Sequence, residues 1–539
     1  MIHRYHDGTK HHFRQFARSL GYLDWASQPK PFRSFAGAPI VALSGDPAPP
    51  APDRDAVVIG VIADVLRHAL GLSAWKRFRA PSTGSAPGER VETRWALRVN
   101  PSSGNLHPTE AYVVAGLAGG PSVFHYAPDR PALEQRCALS ADAWRAASDG
   151  RADVWLIALA SIHWREAWKY GERAFRYCQH DLGHAIAALR IAADLAGRRM
   201  TVLPAWSHAE IATLVGLDRE ADYVDAEREA PGCLLAVSVD APPRALRDER
   251  ARLVEAARRG QWTGRASQLS EDHVEWTIID DVARATEDPG REVQSTRAEI
   301  TGAPTASVAQ DFSPASSNRA PYSRALVLQR RSALAFDRQS HIERASFMRM
   351  LRHAMPGPQP PWDALWWTPR IHLALFVHRV VGLDPGLYLL PRCVAALDRL
   401  RAACGREFLW GPADDEVPLF RLARGDCRAL ARRLSCDQDI AADGFFSFGM
   451  IADFDDSLRQ HGPAFYRHLF WESGVVGQVF YLEAEAAGAR GTGIGCFYDE
   501  PVHDVLGLGD HTFQSLYHFS VGMPVEDPRL TTEPGYSTL

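Results

Sequence analysis

Apolar residues along this chain come in short blocks, and their spacing predicts the elements. From Val57 to Leu72 they recur at helical intervals (Val58, Ile59, Ile62, Leu66, Leu70) before Gly71, which predicts an amphipathic helix. Ala111–Val114, Val154–Leu159 and Pro231–Val239 are brief apolar runs bounded by polar residues and predict strands, with a loop over Ala80–Arg90. Residues 162–197 carry a long helical pattern, aromatic at its start and alanine-rich later. Residues 243–260 are charged and helical in pattern. Residues 285–323 are rich in Pro, Ser, Thr and Ala and predict a flexible linker, with order resuming at Ala325. The first 56 residues, ending in a proline cluster, predict an irregular lead-in.

The later part of the chain repeats the earlier one. With Gly183 set against Gly474, 35 positions run without a gap to Leu217 and Leu508, and eight are identical, among them Gly197/Gly488 and Thr201/Thr492. Chance supplies about two at average composition. Each copy reads as a helix, a break, an extended piece and a short helix, followed by a strand. The division expected is a lead-in over 1–56, a first domain over 57–242, a charged helix and linker over 243–324, and a second domain over 325–539. The two domains form an intramolecular pseudo-dimer of one α+β fold.

Composition narrows the class. A net charge of -5 over 539 residues gives no electrostatic case for nucleic acid. Eight cysteines without a CxxC pair argue against a zinc site or disulfide scaffold and fit a reducing cytoplasm. There is no secretory h-region and no apolar run of membrane-spanning length. A cytoplasmic protein is expected, with no metal.

Candidate chemistry sits in stretches that the two halves do not share. Arg98–Tyr112 (RVNPSSGNLHPTEAY) combines hydroxyls, amides and free backbone N–H groups, suited to a flat polar ligand, or to nothing more than a connection into the next strand. Gln329–Asp337 opens the second half with Arg330, Arg331 and Ser332, forked donors suited to phosphate or a solvated basic turn. Gly491–Phe497 is a glycine-dense turn that would let backbone N–H groups approach a ligand. Trp164–Tyr177 carries Lys169 and Tyr170, either a core segment with a solvated face or an acid/base pair. Arg529 follows the last predicted strand.

Taken in order, these motifs resemble the nitroreductase-like flavoprotein superfamily, and within it the SagB-type dehydrogenases that include azoline oxidases of thiazole/oxazole-modified peptides. The resemblance covers nearly the whole chain outside the linker. It implies two tandem domains of mixed, mainly antiparallel sheet flanked by helices, with FMN between them. By the same resemblance Arg330, Ser332 and Arg529 hold the phosphate end, while Pro101, Ser102, Ser103 and Asn105 come across to the ring system. Gly495 and Cys496 match the turn beside the reactive edge of the flavin. A second basic residue common in the family is Leu334 here, so phosphate binding leans on Arg331 or Arg98. Lys169–Tyr170 matches the dipeptide associated with azoline oxidation, which implies proton removal from a thiazoline or oxazoline and hydride transfer to flavin; burial would lower the lysine pKa. The implied substrate is a small molecule or peptide, and the implied partner a cyclodehydratase-type complex, with further homodimerisation open. The alternatives are an NAD(P)H-dependent nitro- or quinone reductase and a non-catalytic scaffold with a degenerate flavin site. One complete site is expected, its mirror image empty, because the loop and the phosphate grip lie in different halves.

Overall fold

The computed structural model describes residues 1–43, 54–81, 90–292 and 322–536. The first half contains helices α1 (Ile2–Gly8), α2 (Arg54–Ala69), α3 (His163–Tyr170), α4 (Ala174–Leu195) and α5 (His208–Val215). Its strands are β1 (Leu72–Pro81), β2 (Arg90–Arg98), β3 (Thr109–Leu117), β4 (Gly120–Ala127), β5 (Ala132–Ala138), β6 (Trp155–Ser161), β7 (Arg199–Val202) and β8 (Ala230–Ser238). The second half contains α6 (Arg344–Ala354), α7 (Phe454–His461), α8 (Phe465–Ala486) and α9 (Asp499–Leu506). With them go β9 (Ile371–Val377), β10 (Gly386–Leu390), β11 (Phe420–Arg424), β12 (Phe446–Asp453), β13 (Arg490–Ile494), β14 (Phe513–Gly522) and β15 (Leu530–Pro534).

The two halves share one topology. The first sheet runs β5-β4-β3-β6-β8-β7 and the second β11-β10-β9-β12-β14-β13, with antiparallel pairing throughout. Helices flank both, so the fold is α+β as expected. The starts of α3 and α7, α4 and α8, β7 and β13, and α5 and α9 are all 291 positions apart, the offset of the sequence repeat. Gly216 and Gly507 cap α5 and α9 in the left-handed conformation, with φ of 78° and 76°.

Helices α4 and α8 pack on each other at the centre and are buried around almost their whole circumference, which explains why their sequences carry so weak an amphipathic stripe. They approach at Gly183 and Gly474, the residues that open the aligned repeat. A Cβ at Gly183 would strike the Trp471 backbone oxygen, and one at Gly474 the His180 oxygen. Trp471 Nε1 donates to Gln179 Oε1 across the contact at 2.8 Å.

Several local expectations change. The lead-in begins with α1, whose Tyr5 and His6 are buried; Tyr5 donates to the Glu172 carbonyl and His6 Nε2 lies 3.1 Å from Gln514 Oε1 in the other half. About two turns are too few for periodicity to reveal. Most of the loop expected over Ala80–Arg90 lies outside the described residues; on either side of it β1 and β2 form a long antiparallel pair that β15 completes. The helical pattern over 162–197 divides at Gly171 (φ 54°), where a Cβ would meet the Arg18 backbone. Gly491 and Gly493 lie on the edge strand β13, not in a turn, and their missing side chains make room for the Phe519 ring and the Tyr517 hydroxyl. The helical pattern over 243–260 is found as Ala245–Asp248 and Arg250–Arg259. Most of the expected linker lies outside the described residues. Among the described residues, no helix is long and apolar enough to cross a membrane.

Candidate active site

A cavity of about 440 Å³ opens between the halves, within the size range of small-molecule sites. Pro101, Ser102, Ser103, Asn105 and Tyr170 line it from the first half, and Arg330, Arg331, Ser332, Gly495 and Cys496 from the second. Arg98 lines it too. The structure thus brings together motifs more than two hundred residues apart.

The Pro-Ser-Ser-Gly loop leaves β2 and is held in shape from behind. Gly104, Asn105 and His107 all take positive φ (60°, 60° and 53°), which requires enforcement at the two non-glycine residues. Asn105 Nδ2 donates to the Ala96 carbonyl at 2.9 Å, His107 N–H to Ser102 Oγ at 2.7 Å, and Arg165 to the His107 carbonyl. Ser103 gives both its N–H and its hydroxyl to Asp181 on α4, at 3.1 Å each. Ser102 and Asn105 therefore spend part of their capacity on the loop itself.

Gly104 carries a second requirement. A Cβ there would lie 2.6 Å from the Tyr170 hydroxyl and 3.3 Å from Lys169 Nζ, so the loop and the Lys-Tyr pair are in direct apposition. Tyr170 packs edge-on to Tyr177, and burial pushes its phenol well above the ordinary value. Lys169 is exposed at the end of α3, its ammonium 5.2 Å from the Tyr170 ring centre, and so lacks the burial expected of it; it is not among the residues lining the cavity. The neighbouring cations turn away from it. Arg173 and Arg176 are buried and turn to Asp499 at the start of α9, a clamp between halves at 3.0 and 2.9 Å that holds Asp499 well below the usual carboxylate range. Arg173 also donates to the Gly495 carbonyl at 3.3 Å, fixing the turn at the cavity edge.

Behind the loop lies a pair of carboxyls that sequence reasoning missed. Glu166 is fully buried, no donor reaches either of its oxygens, and its neighbour is Asp181. Burial pushes the Asp181 pKa up to about 7 against the opposing pull of the Ser103 N–H and hydroxyl; Glu166 is raised strongly by burial and by Asp181. A proton shared between the two carboxyls is the pairing that their charge permits. Both lie in helical segments, but their pairing depends on how α3 folds back on α4.

The opposite end is cationic. Arg330 is 3% exposed, donates from Nε and Nη2 to the Val99 and Arg98 carbonyls, and leaves Nη1 buried without a partner. Ser332 Oγ lies 2.9 Å from the Tyr481 hydroxyl, which also accepts the Gly493 N–H. Arg331 lines the cavity while donating to the Leu328 and Ser73 carbonyls; burial and the neighbouring Arg330 lower its pKa to about 10. Lys76 from β1 and Arg490 from β13 join this group, again unforeseen. Burial, with Arg331 and Arg490 close by, lowers the Lys76 pKa. Two expectations fail here. Arg529 does not reach the cavity: its side chain is exposed, paired with Asp527 at 2.7 Å and set over Phe78. Arg98 is buried, and its donors go mainly to the Pro31 and Thr109 carbonyls.

No family model matches the sequence, and no curated protein matches it. Among solved structures, the chain is similar to a putative nitroreductase from Anabaena variabilis, 19% identical with a TM-score of 0.68, the match covering 97% of this chain and 99% of that one. A putative nitroreductase from Ralstonia eutropha (15% identity, TM-score 0.26) overlaps 38% of this chain and 82% of its own. The Escherichia coli microcin synthetase McbBCD complex with truncated pro-MccB17 bound (15%, 0.26) overlaps 44% and 84%. At those scores the two partial overlaps add nothing. The full-length likeness shows that this chain has the nitroreductase fold.

Proposed function

We propose that this chain is an FMN-dependent oxidoreductase of the SagB type, which removes a hydride and a proton from a heterocycle such as a thiazoline in a peptide. The observation that carries the reading is one cavity in which the Pro-Ser-Ser-Gly loop, Tyr170 and the Arg330 cluster meet, with Lys169 close to the loop at Gly104.

The residues present fit FMN. The unpartnered, buried Arg330 Nη1 calls for an acceptor, which the phosphate supplies, with Lys76 and Arg331 close by and Arg490 already paired with Glu485 and Glu526. At the other end Ser102, Ser103 and Asn105 offer polar groups to a flat ring system, and Gly495 allows close backbone approach. Held there, FMN would supply the two-electron acceptor. The chain supplies the rest. Tyr170, kept as a neutral phenol by burial, can donate a hydrogen bond but cannot serve as the resting base. Lys169, beside Tyr170 and close to Gly104, is the group proposed to take the substrate proton once it has given up its own. Asp181 positions the loop through Ser103 and is itself poised near neutrality.

The test is conversion of a synthetic thiazoline peptide to the thiazole, in air, by the FMN-loaded full chain. A protein that takes up no FMN contradicts the reading. Bleaching of bound flavin by NADPH without thiazoline oxidation would redirect it to a nitro- or quinone reductase.

A further inference from the structure

Two cysteines and a histidine meet at the edge of the cavity, drawn from three distant parts of the chain. Cys496 Sγ lies 2.8 Å from Cys436 Sγ and 3.8 Å from His11 Nδ1. The sulfurs are unbonded, yet nearer than two thiolates of one tetrahedral zinc, which stand roughly 3.7 Å apart for Zn–S bonds of about 2.3 Å. The arrangement is enforced. Cys436 and Asp437 both take left-handed φ (52° and 57°), and the Gln438 amide donates to the Cys496 carbonyl at 2.9 Å and to the Ser435 carbonyl at 2.8 Å. That amide ties the two cysteine segments together. Both thiols are partly exposed, whereas five of the other six cysteines are buried.

We propose that Cys436 and Cys496 form a redox-active dithiol, with Cys496 the attacking thiol, which closes to an intrachain disulfide by exchange with a low-molecular-weight disulfide. Cys496, as the thiolate, attacks one sulfur of the reagent, forming a mixed disulfide and releasing one thiolate, which takes up from solvent the proton Cys496 had lost. Cys436 then attacks the Cys496 sulfur and expels the second thiolate, which takes the Cys436 proton. In total two thiols and one small disulfide give one protein disulfide and two small thiols, a two-electron exchange. The roles follow from the surroundings. The Cys436 hydrogen bond lowers the Cys496 pKa to about 5, with help from His11 and Arg173, while Cys436 is raised. Asp499, Tyr177 and Tyr170 also face the pair, but Asp499 is already bound to Arg173 and Arg176, and both tyrosines remain neutral. The inference stands whether or not the cavity holds a flavin.

The experiment equilibrates the full chain, without air, in buffers of graded oxidised-to-reduced dithiothreitol, followed by acid quench, alkylation and peptide mapping. The expected result is one two-electron transition in which a Cys436–Cys496 link appears and the other six cysteines stay reduced. Persistence of both thiols across the series overturns the proposal, as does a mixed disulfide at Cys496 that never closes. One zinc retained per chain with both thiols protected would make the triad a metal centre and also overturn it. In the wild-type chain, alkylation of Cys496 should reach half its maximal rate near pH 5. Cys436→Ser and His11→Gln should raise that midpoint and slow the reaction at pH 6 by about tenfold. An unmoved midpoint in Cys436→Ser would mean that the pair is merely packed together, and the proposal falls.

Discussion

Asp181 and Glu472 stand at equivalent positions on the two crossing helices, 291 residues apart, and do opposite work. Glu472 is saturated: it accepts from Trp367 Nε1, from the Arg370 and Ile371 N–H groups, and from Arg392, all in a buried setting where Trp362 also packs on Arg392. Asp181 has only the Ser102–Ser103 segment and a second carboxyl, Glu166, for company. The mirror positions continue the contrast, since Lys169, Tyr170 and Glu166 correspond to Gln460, His461 and Ser457. One backbone thus supplies a satisfied ion pair at one end and a buried, incompletely satisfied pair of carboxyls at the other. Buried groups without full satisfaction persist where function requires them. On the proposed reading, the comparison accounts for one flavin site instead of two.

Four substitutions break or sharpen the comparison. The largest effect is expected from Lys169→Ala, which should retain bound flavin while thiazoline oxidation falls by roughly 10²–10⁴-fold. The mirror change Gln460→Ala should leave both unaltered, and equal losses in the two would end the distinction. Glu472→Gln comes next. It leaves Arg392 buried beside a neutral partner and should lower stability by about 3–5 kcal/mol in denaturant titrations. Third, Arg330→Ala should weaken FMN binding on the order of 100-fold, whereas the exposed Arg529→Ala should change it less than about twofold.

The smallest effect has the opposite sign to that of Glu472→Gln. The folded-state pKa of Asp181 is raised from 3.8 to about 7, so the folded chain holds a proton there that the unfolded chain has lost. Stability from this site is therefore complete below about pH 4 and declines as pH rises to about 7. Asp181→Asn should remove that decline and leave the protein more stable at pH 8. A loss of stability at pH 8 would mean that Asp181 is held as a carboxylate, like Glu472.

Legibility in the sequence followed the range of the interaction. The helix-break-strand-helix unit was readable because Gly183, Gly197 and Gly216 recur as Gly474, Gly488 and Gly507, each pair answering the same local need for close packing or positive φ. The Ser102–Asn105 loop and the Arg330 opening were readable as compact motifs. Lys76 and Arg490 were not, because they sit on strands whose neighbours come from elsewhere in the chain. The Glu166–Asp181 pair and the His11–Cys436–Cys496 cluster likewise exist only after folding. Arg529 misled in the other direction. The family resemblance implied a phosphate ligand there, but Asp527, two residues earlier, pairs with its side chain at the surface.

The central claim is one hybrid site per chain, and the stoichiometry of bound flavin tests it most directly. Titration of the purified full-length chain with FMN, followed by absorbance of the protein-bound fraction, should saturate at one FMN per chain. Saturation at two would show that the Glu472 end also binds, and would contradict the account.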